Sequence, residues 1–179
     1  MPVSFPRPWR AYSPILTTVR PRICDFNTRS NTAGSCCIDT VVLITRNAAP
    51  RIDACLQSAA FADEILVVDS GSSDPTVEIA QAHGARVLTQ DWLGYGRQKA
   101  FAVLQARHDW VLCIDCDERI GPELSETIRH ELARPRANAY ELCRRNRFMG
   151  RWLGHGEGYP DWTLRLFDRR HANWSTDPV

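Results

Sequence analysis

Between residues 40 and 133 the chain alternates short β-branched apolar runs with amphipathic stretches, and this alternation most constrains its fold. Residues 40–44 (TVVLI), 64–68 (EILVV) and 110–114 (WVLCI) are continuous apolar or near-apolar runs of strand length. Such runs fit strands buried on both faces. Residues 86–88 form a shorter third run, before 110–114. Helices are expected between them. One spans 50–60, with Ile52, Cys55, Leu56 and Ala59 on one stripe. A second runs from Pro75 to about His83 and stops at Gly84. A third spans 97–107, with Phe101, Val103, Leu104 and Ala106 apolar, and a fourth spans 122–133, with Leu124, Ile128 and Leu132 spaced by four. Strand and helix in alternation imply an α/β fold with a mostly parallel sheet flanked by helices. After Pro135 the pattern changes. Residues 140–147 and 163–167 read as strands with no helix between them, which suggests a C-terminal antiparallel extension closing over the sheet.

The first 38 residues read differently. Pro2, Pro6, Pro8, Pro14 and Pro21 forbid a continuous helix, and Arg7, Arg10, Arg20, Arg22 and Arg29 face one acid, Asp25. Residues 1–38 are therefore expected to be a flexible basic leader outside the fold, with one domain over 39–179. A transit peptide, a start set too far upstream and a membrane- or partner-binding tail are the alternatives; the prolines oppose the amphipathic helix of the first. With 179 residues, 44% hydrophobic and 24% charged, the chain can build one real core. A net charge of +1 carries no bulk argument for nucleic acid. No apolar run approaches the roughly 18 residues that span a bilayer. With no secretory pattern evident, a cytoplasmic location is expected. Seven cysteines, an odd number scattered near apolar runs, suit buried thiols better than a disulfide framework.

In an open α/β sheet, ligands bind beyond the carboxyl ends of the strands. Those ends read Thr45-Arg46-Asn47, Asp69-Ser70-Gly71 and Asp115-Cys116-Asp117. Any one alone is commonly a cap or turn; three polar ends at one edge point to a site. The stretch VLCIDCDER, residues 111–119, holds both C-x-x-C and D-x-D. In an extended segment Cys113, Asp115 and Asp117 share one side and Cys116 takes the other. The sulfurs then diverge. No second cysteine pair completes a zinc site, and a redox pair should open a helix rather than straddle a strand end. The aspartates carry the signal, because Mg²⁺ or Mn²⁺ prefers carboxylate oxygens and shares its other positions with water and phosphates.

Asp69-Ser70-Gly71-Ser72-Ser73-Asp74-Pro75-Thr76, then Gln98-Lys99, then Asp115-Cys116-Asp117-Glu118 resemble glycosyltransferase family 2, enzymes of GT-A (Rossmann-like) fold that use nucleotide-diphosphate sugars. Gly94-Tyr95-Gly96-Arg97-Gln98-Lys99 and Tyr159-Pro160-Asp161-Trp162-Thr163-Leu164-Arg165-Leu166-Phe167 resemble its lipopolysaccharide core β-1,4-glucosyltransferase-like group. The resemblance runs from about Thr40 to the C-terminus. It implies that Thr45, Asn47 and Gly71 line the nucleotide pocket and that Asp69 accepts a hydrogen bond from uracil. It implies Lys99 near the phosphate, Asp115 at the ribose or sugar, and Asp117 on the metal, Mg²⁺ or Mn²⁺. Asp161 matches the general base, and Arg165 would help neutralise the diphosphate. Three departures stand out. Ala48 replaces a usual glutamate, Ala100 a usual asparagine, and the His-Glu pair and helical region that follow in the family lie beyond Val179, which implies a C-terminally incomplete domain.

The implied reaction is an inverting sugar transfer from a nucleotide-diphosphate sugar (UDP-glucose or similar) to a saccharide acceptor of lipopolysaccharide core or cell-envelope glycan. Peripheral contact with the inner membrane is part of that expectation. Glu157 rivals Asp161 as base. Trp152, Tyr159 and Trp162 read either as an acceptor-binding lip or as core. His155, between glycines, has no ligand partner in sequence. Arg144, Arg145, Arg147, Arg151, Arg165, Arg169 and Arg170 make the C-terminal third basic, either to face an anionic acceptor or as a solvated strand face. Two other functions compete. One is a non-catalytic nucleotide-sugar-binding remnant. The other is a nucleotidyltransferase, disfavoured because residues 45–50 (TRNAAP) lack the glycine-rich loop that chemistry uses.

Overall fold

The structure, a computed structural model, describes residues 14–22, 38–149, 151–156 and 159–175. In chain order the elements are β1 (Ile15–Arg22), β2 (Ile38–Thr45), α1 (Ala49–Ala59), β3 (Ala62–Asp69), α2 (Thr76–Ala82), β4 (Arg86–Thr89) and α3 (Tyr95–Gln105). They continue with β5 (Trp110–Asp115), β6 (Arg119–Ile120), α4 (Pro122–Ala133), β7 (Ala139–Arg145), β8 (Arg147–Phe148), β9 (Arg151–Trp152) and β10 (Asp161–Asp168).

One sheet runs in the order β4-β3-β2-β5-β10-β7-β1-β6. β4, β3, β2 and β5 are mutually parallel, as the apolar runs predict. Their side chains divide by parity, because successive residues of a strand face opposite ways. Val41, Leu43, Ile65, Val67, Leu112 and Ile114 pack on one face with Ile52 and Leu56 of α1 and Ile128 of α4. Val42, Leu66, Val68, Val111 and Cys113 pack on the other with Ala102 and Val103 of α3. Burial on both faces is why these strands show no polar alternation.

α1 and α4 bury the expected stripes. α3 begins at Tyr95 and buries part of its expected stripe: Val103 and, just past its end, Ala106 are buried and Phe101 is half-buried, but Leu104 is exposed and Gln98, Ala100 and Ala102 also turn inward. The inward turn has a polar reason. Gln98 donates to Ser70 Oγ (3.0 Å) and accepts from Leu93 N (3.2 Å), tying the loop before α3 to the end of β3.

Two further expectations are corrected. Residues 15–22, placed in a flexible leader, form β1, antiparallel to β7 from Ile15↔Arg145 to Arg22↔Ala139. Leu16 is fully buried, and Arg20 and Arg22 both pair with Glu141. Pro21 is tolerated because β1 is nearly an edge strand: β6 meets it only at Ile15 and Leu16. The remainder of residues 1–38 lies almost wholly outside the described residues. The antiparallel extension, for its part, does not close over the sheet. β10 pairs edge to edge with β5, and β7 with β10.

Candidate active site

Strand order reverses at β2, with β3 and β4 to one side and β5 to the other. The crevice outside the carboxyl ends of β2 and β5 is therefore the switch point where such sheets bind ligands. Thr45, Asp69 and Asp115 close their strands at that edge.

The turns after β2 and β3 are stitched together. Asp69 is buried and accepts hydrogen bonds from Thr45 Oγ1 (3.1 Å), Gly71 N (3.0 Å), Ser72 N (2.8 Å) and Ser72 Oγ (2.5 Å). A carboxylate offers about four acceptor sites, so Asp69 spends its capacity shaping its own loop. Gly71 sits at φ +78°, a left-handed position that favours glycine. Asn47, at φ 51°, accepts from Ser73 N (2.8 Å), and its own N–H reaches Ser72 Oγ (2.8 Å). Ala48, at the expected glutamate position, is buried, and Ala100 is buried as well.

The centre of the site is a chain of alternating charges. Lys99 Nζ bonds Asp115 Oδ1 (2.8 Å), and the Arg165 guanidinium bonds Asp115 Oδ2 (2.7 Å) and Glu118 Oε1 (2.8 Å). Arg144 lies 3.5 Å from Glu118 and donates its Nε to Asp161 Oδ2 at 2.8 Å. Four segments distant in sequence, α3, the end of β5 with the turn after it, β7 and β10, thus supply the chain from Lys99 to Asp161. Burial pushes the Asp115 carboxyl up, but Arg165 and Lys99 outweigh it and hold it below the usual range. Glu118 is 0% exposed. Burial pushes it up, Arg165 opposes and Asp115 adds to the rise, so its carboxyl sits above the usual range. Asp115 N donates to Glu118 Oε2 at 3.0 Å.

Asp161 is the first residue of β10, opposite Arg144 of β7. Asn146 Nδ2 also donates to Oδ2, at 2.8 Å. Burial raises the Asp161 carboxyl, and the bonds from Asn146 and Arg144 more than reverse it. Glu157, the rival base, lies outside the described residues.

Asp117 stands apart, partly exposed, with Arg51 at 3.7 Å. Among the described residues no three His, Cys, Asp or Glu side chains converge on a metal position. A hard divalent cation can take as few as one or two protein carboxylates, with water and phosphate in its other positions. The C-x-x-C is no metal site. Cys113 lies in the α3-side core and accepts the Trp174 indole N–H (3.3 Å), whereas Cys116 packs against the α1-side core. Burial pushes both thiols up to about 11, with Asp117 adding to the rise at Cys116. Both stay protonated near neutrality and hence unreactive.

Of the aromatics that read as a lip or as core, Trp152 and Trp162 meet arginines. Trp162 lies under the Arg20 guanidinium of β1 (4.1 Å), while Trp152 sits on the β8–β9 hairpin between Arg145 and Arg147. The basic C-terminal third separates. Arg144 and Arg165 belong to the charge chain, and Arg170 pairs with Asp168 and Asp109. Arg145, Arg147 and Arg151 are exposed, the first two against the Trp152 ring, and Arg169 is half-buried. Sequence gives Glu118 no role of its own and Arg144 only a place among the basic residues of the C-terminal third. No local signal marks them, because both take their place from Arg165 and Asp161 on β10, whose neighbours the fold decides.

A switch-point crevice with polar strand ends, on a sheet extended by antiparallel strands, is an α/β fold of the GT-A class. Residues 40–177 match glycosyl transferase family 2, and the chain belongs to that family. It is similar to an uncharacterized glycosyltransferase of Rickettsia bellii, 43% identical over 99 residues, which are 55% of this chain and 34% of the relative. It is also similar to the lipopolysaccharide core biosynthesis glycosyltransferase LpsC of Rhizobium meliloti, 34% identical over 51% of this chain and 36% of the relative. The chain spans about a third of the length of these curated relatives. Among solved structures, TarS 1-349 of S. aureus, crystallised with UDP-GlcNAc, is 28% identical over 52% of this chain and 30% of that one, with a TM-score of 0.46.

Proposed function

We propose that the chain is the donor-binding and base-bearing part of an inverting glycosyltransferase. It would move a sugar from a nucleotide diphosphate, UDP-glucose or similar, to a saccharide acceptor of lipopolysaccharide core or another envelope glycan. The observation that carries this reading is the charge chain from Lys99 to Asp161, because it links cations at the strand ends to a carboxylate fit to act as base. The similarity to LpsC supports the acceptor class.

In this reading Thr45, Asn47 and Gly71 line the nucleotide pocket. Asp69 enters through the loop it shapes, and Asp115 through the two cations it orients. Lys99 and Arg165 face the diphosphate, whose charge grows as the bond to the sugar breaks; fixed cations stabilise that charge without reorganising. Arg165 also keeps a buried Nε without a hydrogen-bond partner. Asp117 would hold Mg²⁺ or Mn²⁺, which when bound adds further charge neutralisation at the diphosphate. Asp161 takes the proton of the acceptor hydroxyl as that oxygen attacks the anomeric carbon from the face opposite the diphosphate. An aspartate is already ionised at neutral pH, and Arg144 and Asn146, which hold its pKa down, aim it. The exposed Arg145, Arg147 and Arg151 suit an anionic acceptor or membrane surface. No helix among the described residues is long and apolar enough to cross a membrane; the proposed location is cytoplasmic, with peripheral contact at the inner membrane.

The test is a titration of UDP with and without Mn²⁺ into the chain and its Asp117→Asn variant. Metal-dependent affinity should be present in the first and lost in the second, with melting unchanged. Metal-independent or absent binding in the parent chain would sink the reading. Binding without sugar transfer, even in a chain extended past Val179, would favour the non-catalytic alternative.

A further inference from the structure

Beyond β10 the chain returns across the first turns of α3. A Cβ built on Gly96 would lie 2.3 Å from the Ser175 carbonyl oxygen, so the backbone there rests directly on the helix. One turn on, the Lys99 ammonium lies 4.6 Å from the centroid of the Trp174 ring. The indole is itself fixed. It donates to Cys113 Sγ, the residue two before Asp115 on β5, and packs against the α3-side core. Lys99 is therefore held from two sides, by the Asp115 carboxylate at 2.8 Å and by an aromatic face.

We propose that Trp174 is a positioning residue for Lys99, and that Gly96 is required so that the segment carrying Trp174 can lie down on α3. An aromatic face attracts an ammonium through its quadrupole without cancelling the charge. A second carboxylate in that place would fix the lysine equally well but leave no net charge to offer a phosphate. Asp115 is already shared with Arg165, which also meets Glu118, so a neutral restraint holds Lys99 without adding a further negative charge to the cluster. The inference rests on the reading of Lys99 as a donor-site cation.

Two measurements test it. The first needs no ligand: the rate at which an N-hydroxysuccinimide ester acetylates Lys99, followed by peptide mass spectrometry. Trp174→Leu should raise the rate severalfold, Gly96→Ala should do the same, and Trp174→Phe, which keeps a ring face without the N–H, should restore most of the protection. The second compares UDP with uridine by calorimetry in Mn²⁺. Trp174→Leu should weaken UDP about three- to tenfold and leave uridine unchanged, with Trp174→Phe in between. Unchanged acetylation in Trp174→Leu overturns the proposal. So does an equal loss of UDP and uridine affinity, which would mark a general structural role. Lys99→Ala separates the two readings: if it leaves UDP affinity intact, the donor-site role of Lys99 fails, while the acetylation rates still decide whether Trp174 holds Lys99.

Discussion

Arg165, on β10, reaches Glu118 in the turn after β5, 47 residues earlier, at 2.8 Å, and both side chains are almost entirely buried. Arg165 shares the same nitrogen with Asp115. Removing one partner of a buried pair is costlier than the pair is favourable, because the other charge is left without compensation. Arg165→Met should therefore destabilise the chain by about 3–5 kcal/mol in urea unfolding. A loss under about 1 kcal/mol, the size expected of an exposed pair, would show that the network is solvated in solution.

Asp161→Asn should remove sugar transfer while sparing UDP affinity, since a base acts on the acceptor and not on the nucleotide. The assay belongs in a chain extended through the region that follows in relatives. Transfer rate and UDP affinity would be measured side by side. Near-normal transfer would eliminate Asp161 and turn attention to Glu157.

Leu16→Ala should cost about 2–5 kcal/mol, the range for a leucine in a packed core. The side chain is fully buried in the α1-side core. A leader outside the fold would show no effect, so the melting temperature of this single variant decides whether β1 belongs to the domain in solution.

Acid should unfold the chain partly through Asp168. Burial pushes its carboxyl up, but Arg170, through its backbone N–H and guanidinium, holds it below the ordinary aspartate value of 3.8. The unfolded chain then takes the proton more readily than the folded one. The stability from Asp168 is fully present above that ordinary value and is lost as pH falls through the lower folded one. Glu118 works oppositely: its contribution is present below 4.5 and declines as pH rises through its raised folded value. Asp168→Asn should flatten the acid limb of stability against pH, measured by urea unfolding at a series of pH values below about 4. An unchanged slope would remove Asp168 as a source of acid lability.

Much of this protein is determined locally. The apolar runs at 40–44, 64–68 and 110–114 are strands because a segment buried on both faces has no place for polar alternation. The helix from Pro122 to Ala133 starts and stops where its proline and its four-residue spacing say. The polar strand ends at Thr45, Asp69 and Asp115 follow from the strands, and so does their common edge. What lies between those ends and Asp161 does not. Whether Arg165 is exposed or buried, and which carboxylates it meets, depends on β10 entering the sheet beside β5, a register set by hydrogen bonds between distant segments. The same register brings Arg144 opposite Asp161. β1 escapes a local reading because only one side of it is buried and Pro21 interrupts it; it is a strand because β7 offers it a partner. Periodicity reports how a segment is buried, and charge pairing across a sheet depends on neighbours that only the folded chain chooses.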